Sequence, residues 1–521
     1  MAETTAAAGR RVTRNTVSLL GARAITALAG LVSLPIVYDR LGAREFGVWV
    51  LLNGLVAVLA LVDLGLGSAL VREVAANGAG TDQRRTRAVL GLGLGWAVCL
   101  GVTALAATVA CWPWLVRLLN FGDLAVEARQ AAVALLVGLL FDGVALPWRA
   151  LLEGSQRYGP IAWTTGGTAL LGAGLAVAVV RLGGGLAALA ASAAATSAVR
   201  TLLLVAVARR HQPRLSPRLR DLRRTDLRVV SGYGLRVQVT SAAGAVNTDL
   251  DRFVLGGFFG PAVAGGFELG GRLLTLLRLV PGFVLLALFP MAVDRAAREG
   301  PGWLDRFNLT TTRYLSLFVV PGAAALMVCA DPLVRLWLGQ PVAWAALNIV
   351  ILAPCYALSL AVGATAIVTR VEGRPGLETT YAVLSVLLNL TLTIPLLHLL
   401  GPAGVPTATA LAVLLSTAYF LVHFHRRTGR AIGPLLRVGW PPSVVALVAG
   451  LVGALAAPYL PDGPGRLDAA LAVLTRGGLT LLVAAVLLAA VGAVGAGDRA
   501  RLRTLLRRVD PPVAPSRVGV G

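Results

Sequence analysis

Thirteen ionisable side chains fall inside, or within a turn of, long apolar stretches where charge is costly. Eight are arginines: Arg23, Arg149, Arg200, Arg236, Arg272, Arg278, Arg313 and Arg476. Five are acids: Asp63, Asp142, Asp249, Asp251 and Glu268. An arginine at the centre of a spanning helix costs about 2.5–3.5 kcal/mol on insertion scales, so each needs a partner or a wet cavity. Guanidinium stays protonated and grips phosphate through two parallel N–H donors. An excess of such groups over acids suits an anionic, phosphate-bearing ligand. Arg23 lies in the first third of its stretch, with Ala27 and Gly30 at helical spacing, and Arg236 and Arg272 lie in two later stretches. Arg149 and Arg313 lie near stretch ends and can snorkel.

The acids admit two readings each. Glu268 precedes Arg272 by four residues, the favourable order for a pair on one helix face. That pair is either self-neutralised or one that opens when a phosphate competes for the arginine. Asp142 and Arg149, seven apart, share a face with Pro147 between them as a kink. Asp63, just before Gly65-Leu66-Gly67, is a proton or cation site or an interfacial structural acid.

No other constellation points to catalysis, a cofactor or a metal. Gly91-Leu92-Gly93-Leu94-Gly95 lies in an apolar run with no preceding strand, so it serves helix packing rather than a nucleotide. His423 and His425 are two apart, which puts them on different helix faces. Cys99, Cys111, Cys329 and Cys355 form no CxxC pair and read as apolar thiols.

The stretches that must position the charged groups dominate the chain. Of 521 residues, 57% are hydrophobic and 14% charged, with a mean hydropathy of +0.77. An ordinary soluble domain carries about 25% charged residues, so both disorder and a set of soluble domains are excluded. Fourteen runs reach the roughly 20 residues a spanning helix needs: 16–38, 46–71, 88–112, 130–152, 160–181, 186–208, 229–256, 262–290, 311–330, 344–368, 377–398, 404–425, 438–460 and 468–495. The first is too long for a signal-peptide core and is expected to be retained. Six breaks or bends, at Pro35, Pro147, Pro281, Pro354, Pro395 and Pro406, fit helices that line a cavity or move.

All 47 basic residues are Arg, and the net charge is +22. With the amino terminus inside, the cytoplasmic segments hold 31 Arg and the opposite loops eight: Arg40, Arg44, Arg117, Arg129, Arg181, Arg252, Arg335 and Arg466. The positive-inside rule is satisfied in that direction only, which places both termini in the cytoplasm. A pI of about 11.4 therefore reports orientation and not nucleic acid. Segment 209–228 carries eight of the Arg and is expected to anchor topology and link two lobes, with lipid headgroups as the alternative contact.

The chain also repeats itself. Gly42, Gly47 and Trp49 precede Gly260, Gly265 and Phe267 by 218 positions, and Leu182-Gly183 precedes Leu400-Gly401 by the same offset. Glu153-Gly154 and Glu372-Gly373 differ by 219. Six spans per unit is even, so the units are parallel and their interface is the expected substrate site. The expected fold is all-α: an amino-terminal lobe of six spans (1–208), the basic linker (209–228), a second six-span lobe (229–425), two extra spans (426–495) and a basic tail (496–521).

The pattern Leu34-Pro35-Ile36-Val37-Tyr38, Leu41-Gly42, Glu45-Phe46-Gly47-Val48-Trp49 and Asp63-Leu64-Gly65-Leu66-Gly67 resembles Wzx-type polysaccharide (lipid-linked oligosaccharide) flippases. These belong to the multidrug/oligosaccharidyl-lipid/polysaccharide exporter superfamily. Asp251-Arg252 before Leu255-Gly256, Leu336-Trp337-Leu338-Gly339, and Asn389-Leu390 leading to Leu400-Gly401-Pro402-Ala403-Gly404 extend the resemblance over about 14–425. It implies two six-helix lobes in a V that open alternately to each side of the inner membrane, with spans one and eight flanking the cleft. That makes Arg23 and Arg272 the first candidates to hold the cargo, followed by Arg236 in span seven. The cargo it implies is an undecaprenyl-pyrophosphate-linked oligosaccharide, with membrane lipid and other polysaccharide-assembly membrane proteins as partners. A lipid II flippase and a cation-coupled multidrug exporter share the superfamily, though the latter calls for an acid-dominated cavity. An integral-membrane glycosyltransferase or polymerase would need a large acidic outer loop, and those around 113–129 and 331–343 are short.

Overall fold

The computed structural model describes residues 2–61, 66–77, 83–213, 215–218, 220, 250–374 and 376–493, with side chains from Ser18 onward apart from Pro301. Asp63, Arg236, Asp249, half of the 209–228 segment and the 496–521 tail lie outside the described residues. Among the described residues there is helix and no strand. The amino-terminal half comprises α1 (Ala2–Ala60), α2 (Leu66–Asn77), α3 (Gln83–Ala110), α4 (Trp112–Leu118), α5 (Ala125–Gly154), α6 (Tyr158–Arg181) and α7 (Leu186–His211). Helical residues 250–259 (α8) open the second half. It continues with α9 (Pro261–Glu299), α10 (Pro301–Val328), α11 (Ala330–Leu338), α12 (Ala343–Ala361), α13 (Gly363–Val371), α14 (Gly376–Leu400) and α15 (Gly404–Thr428). Beyond it come α16 (Gly433–Ala456), α17 (Arg466–Ala472) and α18 (Gly478–Ala490).

Eleven segments of the described residues are long and apolar enough to cross a membrane. Two of them, Ser18–Ala60 and Gly376–Thr428, each cover two of the fourteen expected spans. The first divides at Gly42 and the second at Gly401–Ala403. Large apolar side chains such as Trp163, Leu202 and Leu447 are more than 60% exposed, an arrangement that only lipid makes favourable.

The glycine pattern has a direct physical basis. Gly42 (φ 75, ψ 169) and Gly260 (φ 88, ψ 164) take nearly the same conformation, one that L side chains rarely adopt. The second glycine of each block serves close approach instead. A Cβ on Gly47 would lie 1.9 Å from the Pro261 carbonyl oxygen, and one on Gly265 would lie 3.0 Å from the Gly47 Cα. Backbone therefore packs on backbone where α1 meets α9. Gly183 and Gly401, also 218 apart, both have positive φ (83 and 60). These coincidences support the two-fold reading of the chain.

The buried clusters show how the halves meet. Val37, Tyr38, Phe46 and Val50 pack in one cluster with Leu269, Leu273, Val334 and Ala345. Val48, Leu51 and Leu52 share another with Leu255, Ala264 and Phe267. Toward the Arg-rich connections the cores separate. Leu70, Leu90, Leu151 and Leu204 belong to a cluster of the first half only. Ala292, Leu304, Ile367 and Phe424 belong to one of the second half only. The bundle is fused at one end and split at the other, the V that a cavity between halves requires.

Pro35 adds a contact across the fused end. Lacking an N–H, it leaves the Leu31 carbonyl without its helical donor. Trp337 Nε1, from α11, donates to that oxygen at 2.8 Å.

Candidate functional site

Between the halves lies a cavity of about 400 Å³ lined by α1, α5, α6 and α9. Three guanidinium groups reach it: Arg23, Arg149 and Arg272. Thr26, Thr165 and Thr275 add hydroxyls, and the remaining lining is apolar, with no acid among the lining residues. Thr26 and Thr275 each also bond the carbonyl four residues back, at 2.9 and 3.0 Å.

Arg23 has no ion pair or hydrogen bond among the described residues, so its five donors are uncommitted. Arg272 pairs with Glu268 at 2.8 Å, as the four-residue spacing predicts, yet its side chain remains 56% exposed and faces the cavity. Arg149 contradicts the expected match with Asp142. It bonds Glu153 at 2.8 Å, one turn along α5, while Asp142 pairs with Arg200 of α7. Arg200 Nε donates to Asp142 Oδ1 at 3.1 Å and Ser197 Oγ to Oδ2 at 3.2 Å. The helix α7 packs against the Asp142 face of α5, and a nearby cation on another helix wins over one two turns away. The structure thus brings together Arg23 and Arg272 and adds Arg149, whereas Asp142 is held by Arg200.

Arg272 also lines two smaller neighbouring cavities, of about 230 and 100 Å³. Both contain Arg252 and Glu268, and the larger also holds Asp251 and Arg278. Arg252, which the sequence places with the outer loops, is instead part of α8. Its side chain is 14% exposed and lies 3.5 Å from Glu268, which therefore stands between two arginines. Arg278 sits over the Tyr356 ring, 4.8 Å from its centroid. Asp251 is half-buried, accepts a hydrogen bond from Thr409 and has a buried Oδ1 without a hydrogen-bond partner. Asn389 Nδ2 donates to the same Thr409 oxygen at 2.7 Å.

Two further intramembrane arginines among the described residues are occupied away from the main cavity. Arg313 donates to the Ala493 carbonyl at 2.7 Å, and Arg476 pairs with Asp462 at 2.6 Å. The signal that marks Arg149 as a cavity residue is its place one helical repeat from the α5–α6 turn. That signal is equally compatible with snorkelling.

A split all-α membrane bundle with a cavity between its halves has the architecture of a membrane transporter. The comparisons with known proteins agree. Residues 12–294, more than half of the chain, match the family described as polysaccharide biosynthesis protein, and the chain belongs to that family. It is 22% identical over 414 residues to the probable low-salt glycan biosynthesis flippase Agl15 of Haloferax volcanii, covering 76% of this chain and 80% of that protein. Its fold is that of the lipid II flippase MurJ in an inward closed conformation: TM-score 0.66, 14% identity, 93% of this chain and 99% of that one. An inward-facing multidrug resistance MATE family transporter of the MOP superfamily gives a TM-score of 0.62 at 17% identity, covering 78% and 94%.

Proposed function

We propose that the protein is a flippase that moves an undecaprenyl-pyrophosphate-linked oligosaccharide across the inner, cytoplasmic membrane for polysaccharide biosynthesis, by alternating access. The observation that carries this reading is the convergence of Arg23, Arg149 and Arg272 on one cavity that no acid lines. The unpaired Arg23 attracts a diphosphate, and Arg149 and Arg272, each bonded to one glutamate outside the lining, offer their remaining donors for charge-assisted hydrogen bonds. The family and the named flippase relative support the glycan cargo.

In this mechanism the two lobes, 1–208 and 229–425, rock about their fused end, with both termini cytoplasmic. The headgroup enters the split end from the cytoplasmic leaflet. Arg23 and Arg272 clamp the diphosphate from opposite lobes, and Arg236 joins them in span seven. The lipid tail stays in the bilayer, so only the polar headgroup crosses. Diphosphate binding neutralises the repulsion between guanidinium groups on the two lobes and so favours their closure. Glu268 exchanges between Arg272 and Arg252 as the cargo arrives and leaves.

The test is flipping in proteoliposomes, read as the appearance of labelled lipid-linked oligosaccharide at the far leaflet. Arg23→Ala and Arg272→Ala are each expected to slow it by roughly thirty-fold or more, while insertion and melting temperature stay unchanged. Full activity in both variants overturns the reading. Lipid II in a parallel assay separates the glycan branch, since preferred transport of lipid II refutes the oligosaccharide assignment.

A further inference from the structure

The arginines predicted to face away from the cytoplasm are not all alike. Arg44 pairs with Asp123, and Arg335 bonds Asp331 at 2.8 Å and Asp462 at 2.6 Å. Arg40, Arg181 and Arg466 have no ion pair among the described residues, and all three line one cavity of about 510 Å³. Asp39 is the single acid in that lining, so three guanidinium groups face one carboxylate. They come from three parts of the chain: the end of the first expected span, the last residue of α6 and the first residue of α17. Like charges gathered from separate elements repel one another, and an anion between them removes that repulsion.

Two features fix Arg466 in place. Gly339 is left-handed (φ 80), and a Cβ there would lie 2.7 Å from Arg466 Nη2 and 2.8 Å from its Nε. Any other residue at 339 would drive the guanidinium out of this position. The loop leading to Arg466 is also clamped. Arg335 Nη1 donates to the Gly463 carbonyl at 2.6 Å, and Arg335 and Arg476 each hold one oxygen of Asp462 at 2.6 Å. Those two guanidinium groups hold the Asp462 carboxyl below the usual carboxylate range. Trp337 lines the same cavity with its N–H committed to Leu31, which leaves its ring as an apolar wall.

We propose that this cavity is a second oxyanion site, which binds a phosphate or diphosphate group at the mouth opposite the Arg-rich face, and that the carboxy-terminal helix pair serves it by supplying Arg466. The inference rests on the reading of the protein as a carrier of a diphosphate headgroup, and adds a receiving point on the exit side. It also gives α17 and α18, which lie outside the repeat, a task. The bound group is either that of the departing cargo or the headgroup of an anionic phospholipid in that leaflet.

Full-length protein carrying Arg23→Ala and Arg272→Ala, which disables the central cavity, isolates the second site. In phosphatidylcholine nanodiscs it is expected to bind inorganic diphosphate saturably by calorimetry. Adding Arg466→Gln or Gly339→Val should weaken that binding at least about tenfold. Gly339→Val keeps every charge, so its effect reports the placement of Arg466 and not net charge. Should the strained valine lower folding, Arg40→Gln supplies the second variant. Arg129→Gln, on an outer segment but outside the cavity lining, should bind like the parent. Phosphatidylglycerol in the nanodiscs distinguishes the sources. A lipid occupant weakens diphosphate binding competitively, and only while Arg466 is present; unchanged affinity assigns the site to the departing cargo. Absence of binding in the Arg23/Arg272 double variant, or binding indifferent to Arg466→Gln and Arg40→Gln, overturns the proposal. Failure of the flippase reading shows separately, as transport insensitive to Arg23 and Arg272.

Discussion

The cavity lined by Arg23, Arg149 and Arg272 and the smaller one beside it share Arg272 and Thr275 and differ in the acids of their lining. In the larger, no acid is in the lining: Arg149 and Arg272 each bond a glutamate outside it, and Arg23 has no ion pair among the described residues. In the smaller, Asp251 and Glu268 stand among Arg252, Arg272 and Arg278. Acids interleaved with arginines in the lining hold helices together and resist rearrangement; a guanidinium without a partner, as Arg23 is among the described residues, is completed by an anion. Arg272, half exposed and bonded to Glu268, belongs to both, and in the proposed mechanism it links ligand binding to the packing of α8 on α9.

The strongest way to break this comparison is to exchange the two kinds of arginine. Arg272→Ala is expected to cut flipping by roughly thirty-fold or more, as above. Asp142→Leu with Arg200→Met replaces a neutralised pair and should leave flipping within about two-fold, measured in the same vesicles. Equal losses in both would end the distinction. Glu268→Gln sharpens it, because it removes the carboxylate that competes for Arg272. Inorganic diphosphate should then bind about tenfold tighter to detergent-purified protein, while unchanged or weaker binding would show that Glu268 does not compete.

Asp142→Ala alone strands a positive charge between α5 and α7. A fully buried pair broken this way loses about 3–5 kcal/mol, but these side chains are a third exposed, so about 1–2 kcal/mol is expected by denaturant titration.

The carboxylate of Asp462 gives the smallest effect. Its depressed pKa stabilises the fold above the unfolded carboxyl value near 4, and that contribution is lost as pH falls through the lower folded value. Hydrogen exchange across 457–465 should therefore accelerate in acid, and Asp462→Asn should abolish the pH dependence.

What the sequence revealed follows from how far each signal reaches. Span positions and the Gly42–Gly260 correspondence were legible because apolar length and turn glycine are local properties. The Glu268–Arg272 pair was legible because it lies within one helix. Arg200 with Asp142, 58 residues apart, was not, since it depends on which faces of α5 and α7 meet. Arg252 reads as a loop residue in the sequence because it sits at the end of an apolar run, where helix and loop look alike. Arg149 was the reverse case: its position was clear, but only the opening between halves shows that it points at a cavity.

Pro35 couples motion at the fused end to water. Its missing N–H leaves an acceptor on α1 that Trp337 satisfies from the other half. Separating the halves there strips that bond, and a lone carbonyl in a dry environment costs about 1–3 kcal/mol. The mouth therefore opens readily only as water enters to replace the indole, so wetting and opening are one event. Trp337→Phe should shift the equilibrium toward the open mouth, read by distances between spin labels on α1 and α11. The shift should vanish in Pro35→Ala, where the helix supplies its own donor.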